Sequence, residues 1–209
     1  LLILLMTTLA GTAAAQELRN FAFGTQPIVS PEITENHVTF RLLAPKAYEV
    51  RLYGSWTADY RSSLAMARDT AGVWYASIPL PAPEIYTYSF IVDGVMMNDP
   101  SNVIMQRDGT RYLSVLLVPG GISGYYKEAT QRGNVRTVWY DSPTIGMQRR
   151  MTIYTPYGYE NNPRGKYPVL YLLHGAGGDE EAWISMGYTR QIMDNMIEKG
   201  EAEPMIVVM

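Results

Sequence analysis

A glycine-rich turn follows a strongly apolar segment and is the part of this sequence best suited to chemistry. The apolar run 167–173 predicts a β-strand buried on both faces, and His174, Gly175, Ala176 and Gly177 follow it. Glycine lets the main chain approach a ligand closely and aim its N–H groups at one point. Such N–H groups stabilise the oxyanion that develops during acyl transfer. The turn is therefore a candidate oxyanion-binding loop, although its glycines could equally serve only to turn a strand into a helix.

The elements around this turn predict a parallel β-sheet. The apolar runs 167–173 and 205–209 flank a segment whose apolar residues recur with helical spacing from Ile192 and which ends at Gly200. Strand, helix and apolar strand in this order are typical of a βαβ unit, whose sheet needs helices on both faces. Only one helix is predicted here, so residues 134–209 are expected to be an incomplete α/β domain. Two further predicted strands precede these elements, at 135–141 and 149–155.

Residues 31–119 have a different pattern, in which short strands alternate with turn residues. No helical period occurs there, and Asp93 and Gly94 form a hairpin signal. This pattern predicts an immunoglobulin-like β-sandwich, and the glycine- and tyrosine-containing stretch 120–133 is the predicted connector to the second domain. The predicted strands of the sandwich are 37–43, 49–53, 73–78, 86–92 and 111–118.

The first residues predict export of the protein. Residues 1–15 combine an apolar core with a run of small residues, which is typical of a secretory signal peptide and too short to span a bilayer. Residues 16–30 form a polar leader. We therefore expect a secreted or periplasmic protein without a membrane span.

Composition excludes several classes of function. The net charge is −3, which gives nucleic acid no basic surface to bind. The sequence has no cysteine and two histidines, His37 and His174, so it offers neither a thiol nucleophile nor a histidine-rich metal site. No metal, no cofactor and no nucleic-acid partner are predicted, and the oligomeric state is left open.

The C-terminal region resembles the branch of the α/β-hydrolase fold that includes carbohydrate esterase family 1. The resemblance rests on residues 150–159, 167–175 and 177–183. It implies that one oxyanion N–H comes from the loop around Ala176, and that the nucleophile lies in G-x-S-x-G, followed by the acid and then the histidine. Because His174 precedes that site, we expect it to brace the loop rather than act as the general base.

The resemblance also sets expectations for serine and aromatic residues. Ser123 and Ser185 lack the nucleophile pattern, so the catalytic serine, acid and histidine are expected beyond Met209 and residues 1–209 alone are expected to be inactive. Trp183 and Tyr188 follow the turn closely. They could form the floor of an aromatic acyl pocket, although helix packing explains them equally well.

The sandwich resembles the early-set domain related to family-48 carbohydrate-binding modules. Trp56, Tyr60 and Trp74 are candidates for stacking on sugar rings, with core packing as the simpler interpretation. Starch- and glycogen-binding members carry a lysine where this chain has Ser89, and a tryptophan where it has Val95 followed by Met96. Glycogen recognition is therefore not expected. The matching residues are 41–45, 50–56, 72–74, 86–94 and 99–102.

The two resemblances together imply a serine carboxylic-ester hydrolase that acts on plant cell-wall polysaccharide, with a feruloyl ester of xylan as the expected substrate. An acetyl-xylan esterase, or a related acyl or siderophore esterase, is the competing enzyme interpretation. A non-catalytic carbohydrate-binding protein is the alternative from a different class.

Overall fold

The computed structural model describes residues 28–57, 59 and 62–209. The predicted signal peptide, residues 16–27 of the predicted leader and the candidate sugar contact Tyr60 lie outside the described residues. Ten strands, β1 to β10, form the N-terminal sandwich, and four strands with two helices form the C-terminal region.

The sandwich consists of two antiparallel sheets. One has the order β1-β2-β6-β5, and the other β4-β3-β7-β10-β9, with β8 paired to β7. The Asp93 and Gly94 turn between β7 and β8 has positive φ at both residues, which is the requirement of a tight hairpin turn. The bounds are β1 Glu32–Ile33, β2 His37–Leu43, β3 Val50–Gly54, β4 Leu64–Ala65, β5 Ala67–Arg68, β6 Val73–Pro79, β7 Ile85–Val92, β8 Val95–Met97, β9 Met105–Asp108 and β10 Arg111–Leu117.

The sandwich core follows from alternation along the strands. In β2, Val38, Phe40 and Leu42 are buried while their neighbours are not, because successive strand residues point to opposite faces. Phe40 and the ring of Tyr88 pack edge to face, with centroids 4.8 Å apart. Apolar burial of this kind stabilises the sandwich without any disulfide.

The C-terminal sheet has the order β11-β12-β14-β13. Strands β13 and β14 pair in parallel, while β11 with β12 and β12 with β14 pair antiparallel. Helix α2 connects the parallel pair, so the predicted βαβ unit is confirmed and the fold is that of the first strands of an α/β-hydrolase. The bounds are β11 Asn134–Ser142, β12 Met147–Thr155, β13 Val169–Tyr171, α1 Ala182–Ser185, α2 Thr189–Glu198 and β14 Ile206–Val208.

The expectation that residues 167–173 are buried on both faces is wrong. Val169 is 45% exposed and Tyr171 69% exposed. Among the described residues β13 pairs only with β14. The helices pack against Tyr154 and Val207, on the face of the sheet opposite to the side chains of Val169 and Tyr171. An apolar run predicts that a strand can be buried, but the neighbouring elements decide whether it is.

Helix α1 was also missed by the sequence pattern. It has only four residues and makes no complete apolar period that a sequence pattern could show. It carries Trp183 directly after the glycine-rich turn.

The connector 120–133 is bound along α2 rather than free. It begins with a 3₁₀ helix over Gly121–Tyr126. The side-chain amide of Asn195 donates to the carbonyl oxygen of Lys127 at 2.8 Å, and a Glu198 carboxylate oxygen accepts the amide of Thr130 at 2.9 Å. These bonds join the chain leaving the sandwich to the helix of the second domain.

A buried carboxylate completes this attachment. Asp194 of α2 is 2% exposed, and its Oδ1 accepts the amide of Gly133 and the hydroxyl of Tyr154, both at 2.8 Å. Burial raises the pKa of Asp194, and Arg190 lies 3.6 Å from its Oδ2. One side chain thus links the connector, β12 and α2.

We expect Tyr154→Phe to lower the free energy of unfolding by about 1–3 kcal/mol, because Asp194 would lose a donor inside the protein. Tyr171→Phe is the matched control, since that exposed hydroxyl makes no hydrogen bond to the described residues, and a change within about 0.5 kcal/mol is expected. Urea denaturation of both variants measures this. Equal stability of the two variants would contradict the role assigned to the Asp194 contact.

Candidate active site

The glycine-rich turn closes on itself over four residues. The amide of Gly178 donates to the carbonyl oxygen of Gly175 at 3.1 Å, and Gly177 has φ +83°. A positive φ at the third residue is the requirement of a type II turn, and it explains glycine at this position. The closing bond leaves the amides of the two central residues, Ala176 and Gly177, unused.

The amides of the turn are unpaired. Within the part of the chain that the structure describes, the amides of Gly175, Ala176 and Gly177 donate no hydrogen bond. The turn is exposed and lines a cleft of about 460 Å³. The other wall of this cleft is the β9–β10 turn of the sandwich, at Asp108 and Gly109. Unpaired donors beside a cleft are available for an acceptor such as a carbonyl oxygen, and an oxyanion role for this turn stays a prediction.

The side chains of His174, Ser123 and Ser185 are engaged locally. Nδ1 of His174 lies 2.9 Å from the carbonyl oxygen of Gly175, so this nitrogen is the donor. The Ser123 hydroxyl donates to the carbonyl oxygen of Gly120 at 2.7 Å, and the Ser185 hydroxyl donates to that of Arg107 at 3.1 Å. Among the described residues neither hydroxyl bonds to a histidine, and the expectation that neither serine is the nucleophile stays a prediction.

An acidic segment directly after the turn is held by a cation of the sandwich. Nη2 of Arg107, in β9, lies 2.7 and 2.8 Å from the two carboxylate oxygens of Asp179 and 3.0 Å from Oε2 of Glu181. The bond from Arg107 holds the pKa of Asp179 below its usual range. Oδ1 of Asp179 also accepts the amide of Glu181 at 3.0 Å, which shapes the chain just before α1.

A second cation reaches the same segment from the C-terminal sheet. Arg150 of β12 forms an ion pair with Glu180 and lies 3.3 Å from Glu181. Its guanidinium also stacks over the ring of Trp139, 5.7 Å from the centroid. The acidic segment is therefore held between two arginines from different domains.

The two predicted pocket aromatics have different surroundings. Trp183 is 38% exposed and lines, with His174 and Gly175, a second cleft of about 340 Å³. Tyr188 packs edge to face on Tyr126 of the connector, with centroids 5.8 Å apart. The structure therefore brings Trp183 to the turn, whereas Tyr188 contacts the connector.

The predicted sugar contacts of the sandwich are packing residues where they are described. Trp74 is 7% exposed, and its indole N–H donates to the carbonyl oxygen of Ala44 at 2.9 Å. Trp56 is half-buried and stacks on Phe40, with centroids 5.3 Å apart. Trp74 is therefore no sugar contact, because a buried indole presents no face to a ligand, and core packing, the simpler interpretation, is what the structure shows for it. Ser89 is fully buried, so its position offers no contact to a polysaccharide either.

Arg107 and Gly109 were not found by sequence analysis. They lie about 70 residues before the turn, in a segment with no motif, and only the docking of the two domains brings them to it.

Among residues 28–57, 59 and 62–209, no group of three or more histidine or acidic side chains is placed to hold a metal ion. In the same residues, no helix combines the length and the apolar character needed to cross a bilayer.

Two protein families match different parts of the chain. Residues 22–106 match the family described as "Carbohydrate-binding module 48 (Isoamylase N-terminal domain)", and residues 142–209 match the family described as "Putative esterase". The two matches lie in the N-terminal and C-terminal parts of the chain, in the order that the sequence resemblances gave. Both resemblances found in the sequence are thereby confirmed.

Curated relatives share this sequence over part of their length. An endo-1,4-beta-xylanase/feruloyl esterase of Xylanibacter ruminicola is 33% identical over 182 residues, which are 84% of this chain and 25% of that protein. Endo-1,4-beta-xylanase Y of Acetivibrio thermocellus is 33% identical over 99 residues, which are 47% of this chain and 9% of that protein. The chain thus spans a quarter or less of the length of these two curated relatives.

A solved structure supports the fold across both domains. The enterobactin esterase of Shigella flexneri, in the presence of enterobactin, superposes with a TM-score of 0.63 at 18% identity, covering 85% of this chain and 53% of that one. The match shows that a sandwich followed by an α/β-hydrolase region is an arrangement found in other proteins.

We expect Gly177→Ala to lower the free energy of unfolding by about 1–2 kcal/mol, because a Cβ disfavours the positive φ of this position. Space is not the reason, since an added Cβ at Gly177 or at Gly175 meets nothing within 4 Å. Gly175→Ala, at a residue without positive φ, is therefore the control with little expected change. Thermal unfolding of both variants measures the difference, and equal losses would contradict the turn geometry.

The contact between Arg107 and Asp179 predicts a pH dependence. Because the pKa of Asp179 is lowered in the folded protein, its contribution to stability is present above the ordinary value of 3.8 and is lost as the pH falls through the lowered pKa. We expect the stability difference between wild type and Asp179→Asn to be constant above about pH 5 and to shrink below about pH 4. Urea denaturation at a series of pH values measures this, and a difference that grows towards low pH would contradict it.

Proposed function

We propose that the whole protein is a serine carboxylic-ester hydrolase that removes feruloyl groups from xylan. The observation that carries this proposal is the exposed turn after β13, whose amides at Ala176 and Gly177 are unpaired inside an esterase-family region. β13 is the third strand of the C-terminal sheet in chain order. In α/β-hydrolases one of the oxyanion N–H groups comes from the loop after the third strand, which supports the same role for this turn.

In this proposal the ester carbonyl oxygen binds against the amides of the turn. A serine hydroxyl attacks the carbonyl carbon while a histidine takes its proton, and the negative charge on the oxygen is stabilised by main-chain N–H groups. The sugar hydroxyl then leaves with that proton, and water releases the acid from the acyl-serine. This sequence contains no G-x-S-x-G, so the proposal assigns the nucleophile to another part of the whole protein.

The choice of a feruloyl group rests on two observations. The relative from Xylanibacter ruminicola, named as a feruloyl esterase, matches 84% of this chain across both domains. Trp183 lies on the wall of the cleft that also contains His174 and Gly175, and an indole there suits an aromatic acyl group. Export by the segment at residues 1–15 is part of the same proposal, since plant polysaccharide lies outside the cell.

A siderophore ester is the second candidate substrate. The enterobactin esterase fold covers both domains of this chain and not only the esterase-family region. At 18% identity this similarity concerns only the fold. The siderophore ester therefore ranks below the feruloyl ester as a candidate substrate.

Turnover by the whole protein tests these proposals. We expect the protein to release ferulate from methyl ferulate and from arabinoxylan, and to hydrolyse these esters faster than p-nitrophenyl acetate or enterobactin. Treatment with a serine-directed fluorophosphonate should abolish the activity. If the protein releases no ferulate from either substrate but releases acetate from acetylated xylan, the feruloyl proposal is replaced by that of an acetyl-xylan esterase. Xylan binding without hydrolysis of any ester would support the carbohydrate-binding alternative and end the enzyme proposal.

A further inference from the structure

We propose that Arg107 of the sandwich is a positioning residue for the glycine-rich turn, so that the N-terminal domain sets the geometry of the oxyanion-binding amides of its neighbour. This inference rests on the proposed function for its catalytic consequence. Its structural part, that the sandwich orders the turn, stands on the contacts alone.

Among the described residues, the turn itself, residues 174–178, makes no hydrogen bond to other parts of its own domain, whose Arg150 pairs with Glu180 and Glu181 beyond the turn. It is exposed along residues 174–178, and a Cβ added at Gly175 or Gly177 would meet no atom within 4 Å. The closing bond from Gly178 to Gly175 shapes the turn but does not attach it to anything else. Its orientation must therefore come from the residues on either side.

On the C-terminal side, the first residue after the turn is Asp179, which is bound to Arg107. A single nitrogen, Nη2, contacts both oxygens of Asp179 and one of Glu181, while Nη1 donates to the carbonyl oxygen of Gly109 at 3.0 Å. The guanidinium is thus held by its own strand turn and cannot simply follow the acidic segment. Its side chain is 21% exposed, so solvent competes for these bonds less than at an open surface.

One hydrogen bond and one close approach of the two backbones support the same attachment. The carbonyl oxygen of Arg107 accepts the hydroxyl of Ser185 in α1 at 3.1 Å. A Cβ placed at Gly109 would lie 3.4 Å from the carbonyl oxygen of Gly177, so the sandwich backbone lies directly beside the turn. Strand β9 therefore contacts the helix that follows the glycine-rich turn, and the β9–β10 turn lies beside the glycine-rich turn.

Kinetics of the whole protein with methyl ferulate provide the first test. We expect Arg107→Gln to lower kcat about tenfold with KM changed less than about twofold. Complete removal of one oxyanion donor lowers kcat about 10²–10³-fold, and a donor that is only displaced should cost less than that. Arg107→Lys should recover most of the loss, since one nitrogen makes all three carboxylate contacts. The double variant Arg107→Gln with Asp179→Asn should lose no more than either single variant.

Arg41→Gln is the matched control. Arg41 also forms an ion pair inside the sandwich, with Glu32 at 2.7 Å, and it makes no hydrogen bond or ion pair to the described residues of the second domain. We expect kcat and KM of this variant to equal those of the wild type. A rise in KM with unchanged kcat in Arg107→Gln would show that Arg107 binds substrate directly, and would overturn the positioning role.

Amide hydrogen exchange tests the structural part without any substrate. In the whole protein, we expect peptides covering residues 178–187 to exchange at least several-fold faster in Arg107→Gln than in wild type or Arg41→Gln, with no change in the sandwich strands. The amides of Gly178, Glu181 and Ala182 are hydrogen-bonded and report on this segment, whereas the unpaired amides of the turn carry no protection to lose. Unchanged exchange there would overturn the proposal even if the protein hydrolyses esters. Faster exchange in a protein that hydrolyses no ester would leave the positioning role in place and end only the proposed function.

Discussion

The parallel pairing of β13 with β14 is the constraint on which the rest of this structure depends. Parallel neighbours cannot be joined by a tight turn, so the chain must leave the carboxyl end of β13 and return through a helix. That departure point is where the glycine-rich turn lies, and α2 is the return. The turn is therefore exposed at the end of a strand as a direct consequence of strand direction, with its amides available to a ligand.

The second feature is a pair of attachments, one at α2 and one at the segment between the glycine-rich turn and α1. Asp194 of α2 receives hydrogen bonds from Gly133 of the connector and from Tyr154 of β12, which holds the helix against the sheet. Arg107 of the sandwich holds the segment between the turn and α1. A buried polar group and a partly buried ion pair are sensitive to geometry, so together they favour one arrangement of the domains.

Sequence patterns predicted the elements well where the pattern was long. The sandwich strands around Phe40 and Tyr88, the Asp93 hairpin and the βαβ unit all follow from alternation, turn residues and helical spacing. Short elements such as α1 were missed, because four residues do not make a period. The prediction that β13 is buried on both faces was wrong, since an apolar run says nothing about which neighbouring elements cover it.

The sequence by itself determined where the site lies and which residue types form it: a turn directly after an apolar strand, with glycines at 175 and 177 that give the main chain its freedom. Only the tertiary structure decided what stands around that turn. Arg107 reaches Asp179 across 72 positions of the chain, and Trp74 lies in the core instead of on a surface. Local conformation depends on residues next to each other, whereas ion pairs and burial depend on how distant segments pack.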